Sequence, residues 1–218
     1  RRLRFPHDLT ILRSSANSLF SSVGQTISMS ADVRWTHEFF PYWINNLLPT
    51  EIGRALDVCC GRGPAGALLK VYRDCYVEGI EAWEPSASFA RTFYDRVHVG
   101  EALKTIAEIP DKSFDVVTMF DAIEHFEREN AFKMLRHLER VGRTVYISSV
   151  NWFYQQPEFE GNPYQQHRCL ITSLEMTERG YQVVGWGPFV ERYGPFFRHF
   201  LRHFASGWLA WKNNPVTR

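Results

Sequence analysis

Net charge is nearly absent from this sequence. Twenty-five Lys and Arg against 24 Asp and Glu leave +1, so no global field points to nucleic acid or to an acidic membrane. Cysteine is sparse as well. Cys59, Cys60, Cys75 and Cys169 include no C-x-x-C pair, and three of them sit in or beside apolar strand-like runs. That favours reduced thiols in a cytoplasmic protein over a disulfide framework or a zinc site. Long apolar runs are missing, so no bilayer span is expected. Residues 1–13 are basic, but no apolar core follows them, which argues against a signal peptide. An Arg at position 1 suggests a trimmed or processed chain. There is no internal repeat and no low-complexity segment. What is present is ordinary globular composition, 44% hydrophobic and 22% charged, in 218 residues. That length suffices for one domain with a sizeable core.

The stretch 54–66, RALDVCCGRGPAG, organises the rest. Residues 55–59 form a short apolar run that reads as a buried strand. It contains an acid, Asp57, and then breaks into Cys-Cys-Gly-Arg-Gly. Pro64 suits the first turn of a helix, where its missing N–H would be unpaired anyway, and 65–72 has helical composition. Gly61 and Gly63 carry no Cβ, so backbone N–H groups there can approach a ligand closely. Two ligand classes use such a turn. Gly61-Arg62-Gly63-Pro64-Ala65-Gly66 is the dinucleotide pattern G-x-G-x-x-G. Asp57-Val58-Cys59-Cys60-Gly61-Arg62-Gly63 is a form of acid-x-G-x-G-x-G. A carboxylate beside a pyrophosphate would be repelled, whereas S-adenosylmethionine carries a positive sulfonium and an ammonium group. A strand-turn-helix with no ligand is the bland alternative.

Further strands are read at 76–80, 97–99, 114–120, 144–150, 181–186 and 208–212. Helices are read at 85–96, 127–141, 170–179 and 195–205, the one at 170–179 stopped by Gly180. Residues 1–30 are basic and then Ser-rich, with helical character around 9–20. In 31–48, Trp35, Phe39, Phe40, Trp43 and Leu47 recur at helical spacing. Alternating strands and helices argue for parallel βαβ units. Near-continuous apolar strands argue for burial on both faces. The expected fold class is therefore α/β, a doubly wound, mostly parallel seven-stranded sheet with helices on both faces. Residues 1–50 are expected to form an N-terminal helical lid segment and 51–218 the ligand-binding domain.

Ligands on such sheets bind at the carboxyl ends of the strands, so the strand-end residues share one crevice. Glu81, 20 residues after Gly61, is placed to accept hydrogen bonds from both hydroxyls of a ribose, whichever nucleoside is bound. Glu84 is a weaker competitor. Glu101, with Ala102 beside it, is placed to meet an adenine amino group, and Ala82 or Trp83 to pack on the ring. Asp121 closes the fourth strand.

The glycine segment resembles the first motif of class I S-adenosylmethionine-dependent methyltransferases, with Cys59 where the family usually has its first glycine. Residues 114–126, FDVVTMFDAIEHF, resemble the segment after the fourth strand in the small-molecule, ubiquinone-biosynthesis-like group, with Ile123-Glu124-His125 standing for its Leu-Glu-His. The likeness continues in order through Gly142, Val150-Asn151, His167 and Gly180-Tyr181, covering roughly 54–186. It implies an antiparallel last strand at 208–212, S-adenosylmethionine as methyl donor with S-adenosylhomocysteine as product, and contacts from Asp57, Cys59, Gly61, Gly63, Glu81, Ala82, Trp83, Glu101, Ala102 and Asp121. Against a nicotinamide oxidoreductase, no Tyr has a Lys four residues later, and no second substrate domain is present. A silent nucleoside-binding module remains an alternative to an enzyme.

Methyl transfer needs in-line positioning of a nucleophile and sometimes removal of its proton. Histidine suits the second task at neutral pH, and His125 and His167 are the candidates. Asn151 and Tyr164 are candidate contacts to a small-molecule acceptor. So are Trp35, Phe196 and Phe200, if segments 31–48 and 195–205 close over it as an aromatic lid. No metal is expected: Val150 occupies the place of a third acidic ligand beside Asp121 and Asn151, and the pair His199 and His203 has no evident third partner. Nor is a nucleic-acid partner expected. The oligomeric state is not legible.

Overall fold

Runs such as FDVVTMF and GRTVYISSV are apolar on both sides and rich in β-branched residues, so they need a cover on each face. A computed structural model of the chain describes residues 39–158, 161–187, 190 and 197–214. All of these fall within one compact unit, His37–Arg218. The expectations placed on residues 1–38, Trp35 among them, and on Phe196 lie outside the described residues.

Seven strands form one sheet: β1 Arg54–Val58, β2 Tyr76–Glu81, β3 Arg96–Val99, β4 Phe114–Phe120, β5 Gly142–Val150, β6 Gln182–Trp186 and β7 Gly207–Asn213. Their order is β3-β2-β1-β4-β5-β7-β6. β1 to β5 are parallel. β7 runs antiparallel between β5 and β6, as the sequence reading expected of the last strand. Strand order reverses at β1, whose neighbours are β2 and β4, so the carboxyl ends of β1 and β4 flank the switch-point crevice.

The helices are α1 Pro64–Arg73, α2 Glu84–Ala90, α3 Ala102–Ala107, α4 Arg128–Val141, α5 Ser173–Glu178 and α6 Phe197–Phe200. Alternation along the strands sends side chains into two cores, one per face. Leu56, Val117 and Ile147 meet Ile106 of α3, Leu135 of α4 and Met176 of α5 on one side. Ala55, Val116 and Tyr146 meet Leu69 of α1 together with Phe39, Phe40 and Trp43 on the other.

Three element readings need correction. In the aromatic segment 31–48, the described part is a short α-turn, Phe40–Tyr42, followed by a π-helical stretch, Trp43–Leu47. Its rings are core rather than lid: Phe39, Phe40 and Trp43 are buried and pack edge-on or tilted against Phe120 at 5.1 to 5.8 Å. The helix expected at 170–179 starts only at Ser173, because Thr172 closes a reciprocal capping box with Glu175. Among the described residues, the helix expected at 195–205 covers Phe197–Phe200 and ends there. Its supposed apolar face is turned out, with Phe200 74% and Phe204 68% exposed, while Arg198 is buried and lies over the Tyr42 ring. A helix that ends at Phe200 cannot carry a 3.6-residue stripe on to Phe204. What fixes the segment is Asn151, whose amide donates to the carbonyls of Arg202 and Ala205 at 2.6 and 3.2 Å.

Candidate active site

The glycine turn is held from below by one side chain absent from any motif. Tyr94 donates its hydroxyl to Asp57 at 2.6 Å and accepts the Gly66 N–H at 3.1 Å. That N–H is one of the orphan donors in the first turn of α1. The ring lies so close that a Cβ on Gly66 would sit 2.2 Å from Tyr94 Cζ, and one on Gly63 2.6 Å from Cε2. Gly66 therefore answers to the tyrosine beneath it. Asp57 accepts a second short bond, 2.6 Å, from Thr118 Oγ1, its register partner on β4. Burial and the Asp57 charge push the Tyr94 hydroxyl well above the usual phenol range. This corrects the picture of Asp57 as an acid lying beside the ligand. It is buried, and its short bonds brace the turn.

Above that brace the backbone opens. Cys59, Gly61 and Gly63 have φ of 56°, 55° and 90°. Cys59 thus holds the left-handed conformation that the family's glycine would take freely, and burial raises its thiol well above the usual range. A Cβ on Gly61 would meet no atom within 4 Å, so its backbone faces open space. Glu81, at the end of β2, accepts Gly61 N–H at 2.8 Å and Trp83 N–H at 2.8 Å. It ties the glycine turn to the turn after β2. Burial raises its carboxyl above the usual range, against the pull of those N–H bonds. Ala82 and Trp83 are half-buried next to it. Glu101 stands at the N-cap position of α3 without a side-chain capping bond and pairs with Lys104 at 2.9 Å; Ala102, next to it, is buried. Glu84 is exposed and bound to Arg91.

The far side of the crevice follows β4. Asp121, at φ 45°, accepts from Ser148 Oγ at 2.7 Å. The chain then makes a 3-10 turn, Ile123–His125, which buries Glu124 against Ser149 Oγ at 2.8 Å. The Glu124 carbonyl accepts the N–H groups of Arg168 and Cys169 at 2.8 and 3.1 Å, so the turn and the 161–170 loop are stitched together. That places His125 and His167 ring to ring, with centroids 5.1 Å apart. Each Nδ1 meets a backbone carbonyl: Gln166 at 3.2 Å for His125 and Tyr154 at 3.1 Å for His167. Burial lowers both imidazoles below the usual histidine value. Burial, then the charge of Asp121, pushes Glu124 up to about 8.

Two other expected contacts differ. Asn151 is buried, and its side chain serves three backbone groups, those of Arg202, Ala205 and Ser173. It is a strut, not an acceptor contact. Tyr164 is 47% exposed on a turn capped by Asn162. Sequence reading passed over Tyr94 and Glu124 as site residues. Glu124 stood next to His125 in a quoted motif; Tyr94 had no local signal.

A methyltransferase domain family matches residues 56–145. Those residues carry a methyltransferase domain. The glycine turn with Glu81 fits the nucleoside of S-adenosylmethionine: an open backbone cradle beside a carboxylate. Among solved structures the fold is similar to an S-adenosylmethionine-dependent methyltransferase from Archaeoglobus fulgidus, at 15% identity and TM-score 0.57, covering 94% of this chain and 100% of that one. It is also similar to the PH0226 protein from Pyrococcus horikoshii, at 18% identity and TM-score 0.57, over 81% and 88% of the two chains. The Haemonchus contortus phosphoethanolamine N-methyltransferase 2, in complex with phosphomonomethylethanolamine and S-adenosylhomocysteine, aligns at 16% identity and TM-score 0.54, over 77% of this methyltransferase and 50% of that chain. No curated protein matches the sequence significantly. Among the described residues no helix is long and apolar enough to cross a membrane.

Proposed function

We propose that this methyltransferase moves a methyl group to an oxygen or nitrogen of a small-molecule acceptor held over the carboxyl end of β4. S-adenosylmethionine, when bound, supplies a methyl already activated on a sulfonium. The chain's own residues have the remaining tasks. Gly61, Gly63 and Glu81 hold the nucleoside, and the turn after β4 orients the acceptor and takes its proton. The observation that carries this reading is the pairing of His125 and His167, each anchored through Nδ1 to a carbonyl. Burial keeps both imidazoles neutral, the form that can serve as base or ligand. The near-zero net charge speaks against a nucleic-acid acceptor. Turnover measured over a panel of small alcohols, phenols and amines tests it. His125→Ala or His167→Ala should lower kcat by roughly 10²–10⁴ while calorimetry finds S-adenosylmethionine still bound. Full activity in both variants, or turnover only on a macromolecule, would overturn the reading.

A further inference from the structure

The side chains after β4 do more than pair two histidines. One ligand atom from each of Glu124, His125 and His167 lies within 4.8 Å of the other two. Three fixed donors at that separation can surround a single ion. The donors are also oriented as ligands are. A metal-binding imidazole usually gives its second ring nitrogen to a carbonyl or carboxylate, which sets the tautomer and turns the lone pair to the metal. Both histidines do this: Nδ1 of His125 faces the Gln166 carbonyl and Nδ1 of His167 faces the Tyr154 carbonyl. The carboxylate is held as well, since Ser149 donates to Oε2 and leaves Oε1 for another partner.

Electrostatics agree. Glu124 lies in the field of a second acid, Asp121, and a cation relieves such repulsion. The charge of Asp121 acts on Glu124, His125 and His167 alike. These are not the residues from which sequence reading argued against a metal. Val150, His199 and His203 play no part.

We propose that Glu124, His125 and His167 form a binding site for one divalent transition-metal ion of the zinc or manganese class, with positions left open toward the acceptor. Two imidazole nitrogens and one carboxylate oxygen suit such ions better than magnesium or calcium, which take all-oxygen shells. Three protein ligands leave room for an exogenous oxygen, as in catalytic rather than structural sites. The inference rests on the proposed function in assigning this crevice to the acceptor. It narrows the acceptor class to hydroxyl compounds, because an ion there acidifies a coordinated hydroxyl. His125 and His167 then act as ligands and not as free bases.

The test uses the full chain, stripped with a chelator and dialysed. Calorimetric titration with zinc chloride and with manganese chloride, and the visible spectrum on adding cobalt chloride, should report one ion per chain. His125→Ala, His167→Ala and Glu124→Gln should each weaken binding at least about 100-fold, since loss of even an outer partner costs 10–100-fold. Glu124→Gln keeps the shape and can still meet Ser149, which guards against a mere folding defect, and thermal melting checks each variant. His199→Ala should bind the ion as the parent does. S-adenosylmethionine titration of the same samples separates the two readings. Ion binding lost with the nucleoside retained leaves the methyltransferase reading intact and supports the site. No stoichiometric ion in the parent chain, or full affinity in all three variants, would overturn it.

Discussion

Tyr94 illustrates how one residue can decide the geometry of a motif it does not belong to. Its ring fills the space under Gly63 and Gly66, and its hydroxyl joins Asp57 to the first turn of α1. Removing only the hydroxyl, Tyr94→Phe, should leave the Gly66 N–H unpaired and the buried Asp57 short of a donor. An uncompensated buried group costs about 1–3 kcal/mol, so the urea midpoint should fall while its slope stays unchanged. Glu81→Ala acts on the opposite side of the same turn. It frees the Gly61 and Trp83 N–H groups and removes the acceptor offered to the ribose. Affinity for S-adenosylmethionine should drop by about 1–3 kcal/mol; an unchanged dissociation constant in a folded variant would take Glu81 out of the site. At this scale the sequence was half legible. Gly61, Gly63 and Glu81 stand at the fixed spacings a phosphate-free nucleoside cradle needs, and they were readable. The partner of Asp57 was not, because Tyr94 lies 37 residues away and no local pattern links them.

Among the elements, boundaries were legible where a cap or a glycine sets them and misread where a tertiary contact overrides periodicity. The run Phe196, Phe200 and Phe204 has helical spacing, yet Phe200 and Phe204 face solvent. The Asn151 amide draws the carbonyls of Arg202 and Ala205 to itself, and no spacing rule foresees that. Asn151→Ala should therefore act on the end of β5, α5 and the 197–206 segment together. Three backbone groups lose a partner, and a loss on the order of 2–4 kcal/mol is expected in chemical unfolding. Affinity for S-adenosylmethionine should stay near the parent value, which distinguishes a strut from an acceptor contact. α5 offers a milder case. Thr172→Ala opens its capping box and should cost about 1 kcal/mol.

For the whole molecule, the alternation of strands and helices made the sheet and its covering layers readable, because each apolar strand demands two faces of cover. The ion network across the sheet was not readable. Glu78 of β2 bonds Arg54 of β1 at 2.6 Å and His98 of β3 at 2.7 Å, clamping three adjacent strands. Burial pushes the Glu78 carboxyl up, but the bonds from His98 and Arg54 outweigh it and leave the group below the usual carboxylate value. A carboxyl depressed in the folded state stabilises above its unfolded pKa, and that contribution is lost as pH falls through the folded one. Melting temperatures of the parent and Glu78→Gln should thus differ most near neutrality and converge in acid, once pH has fallen below the depressed folded-state value; a gap that persists there would remove the charge from the account. The insertion of β7 between β5 and β6 carries a consequence for synthesis. β6 leaves the ribosome before β7 but has no edge to join until residues 207–213 arrive. Until then β5 presents a bare apolar flank, an exposed template for pairing with another chain. Nascent chains arrested just after residue 186 should recruit holdase chaperones, and release of the next thirty or so residues should displace them.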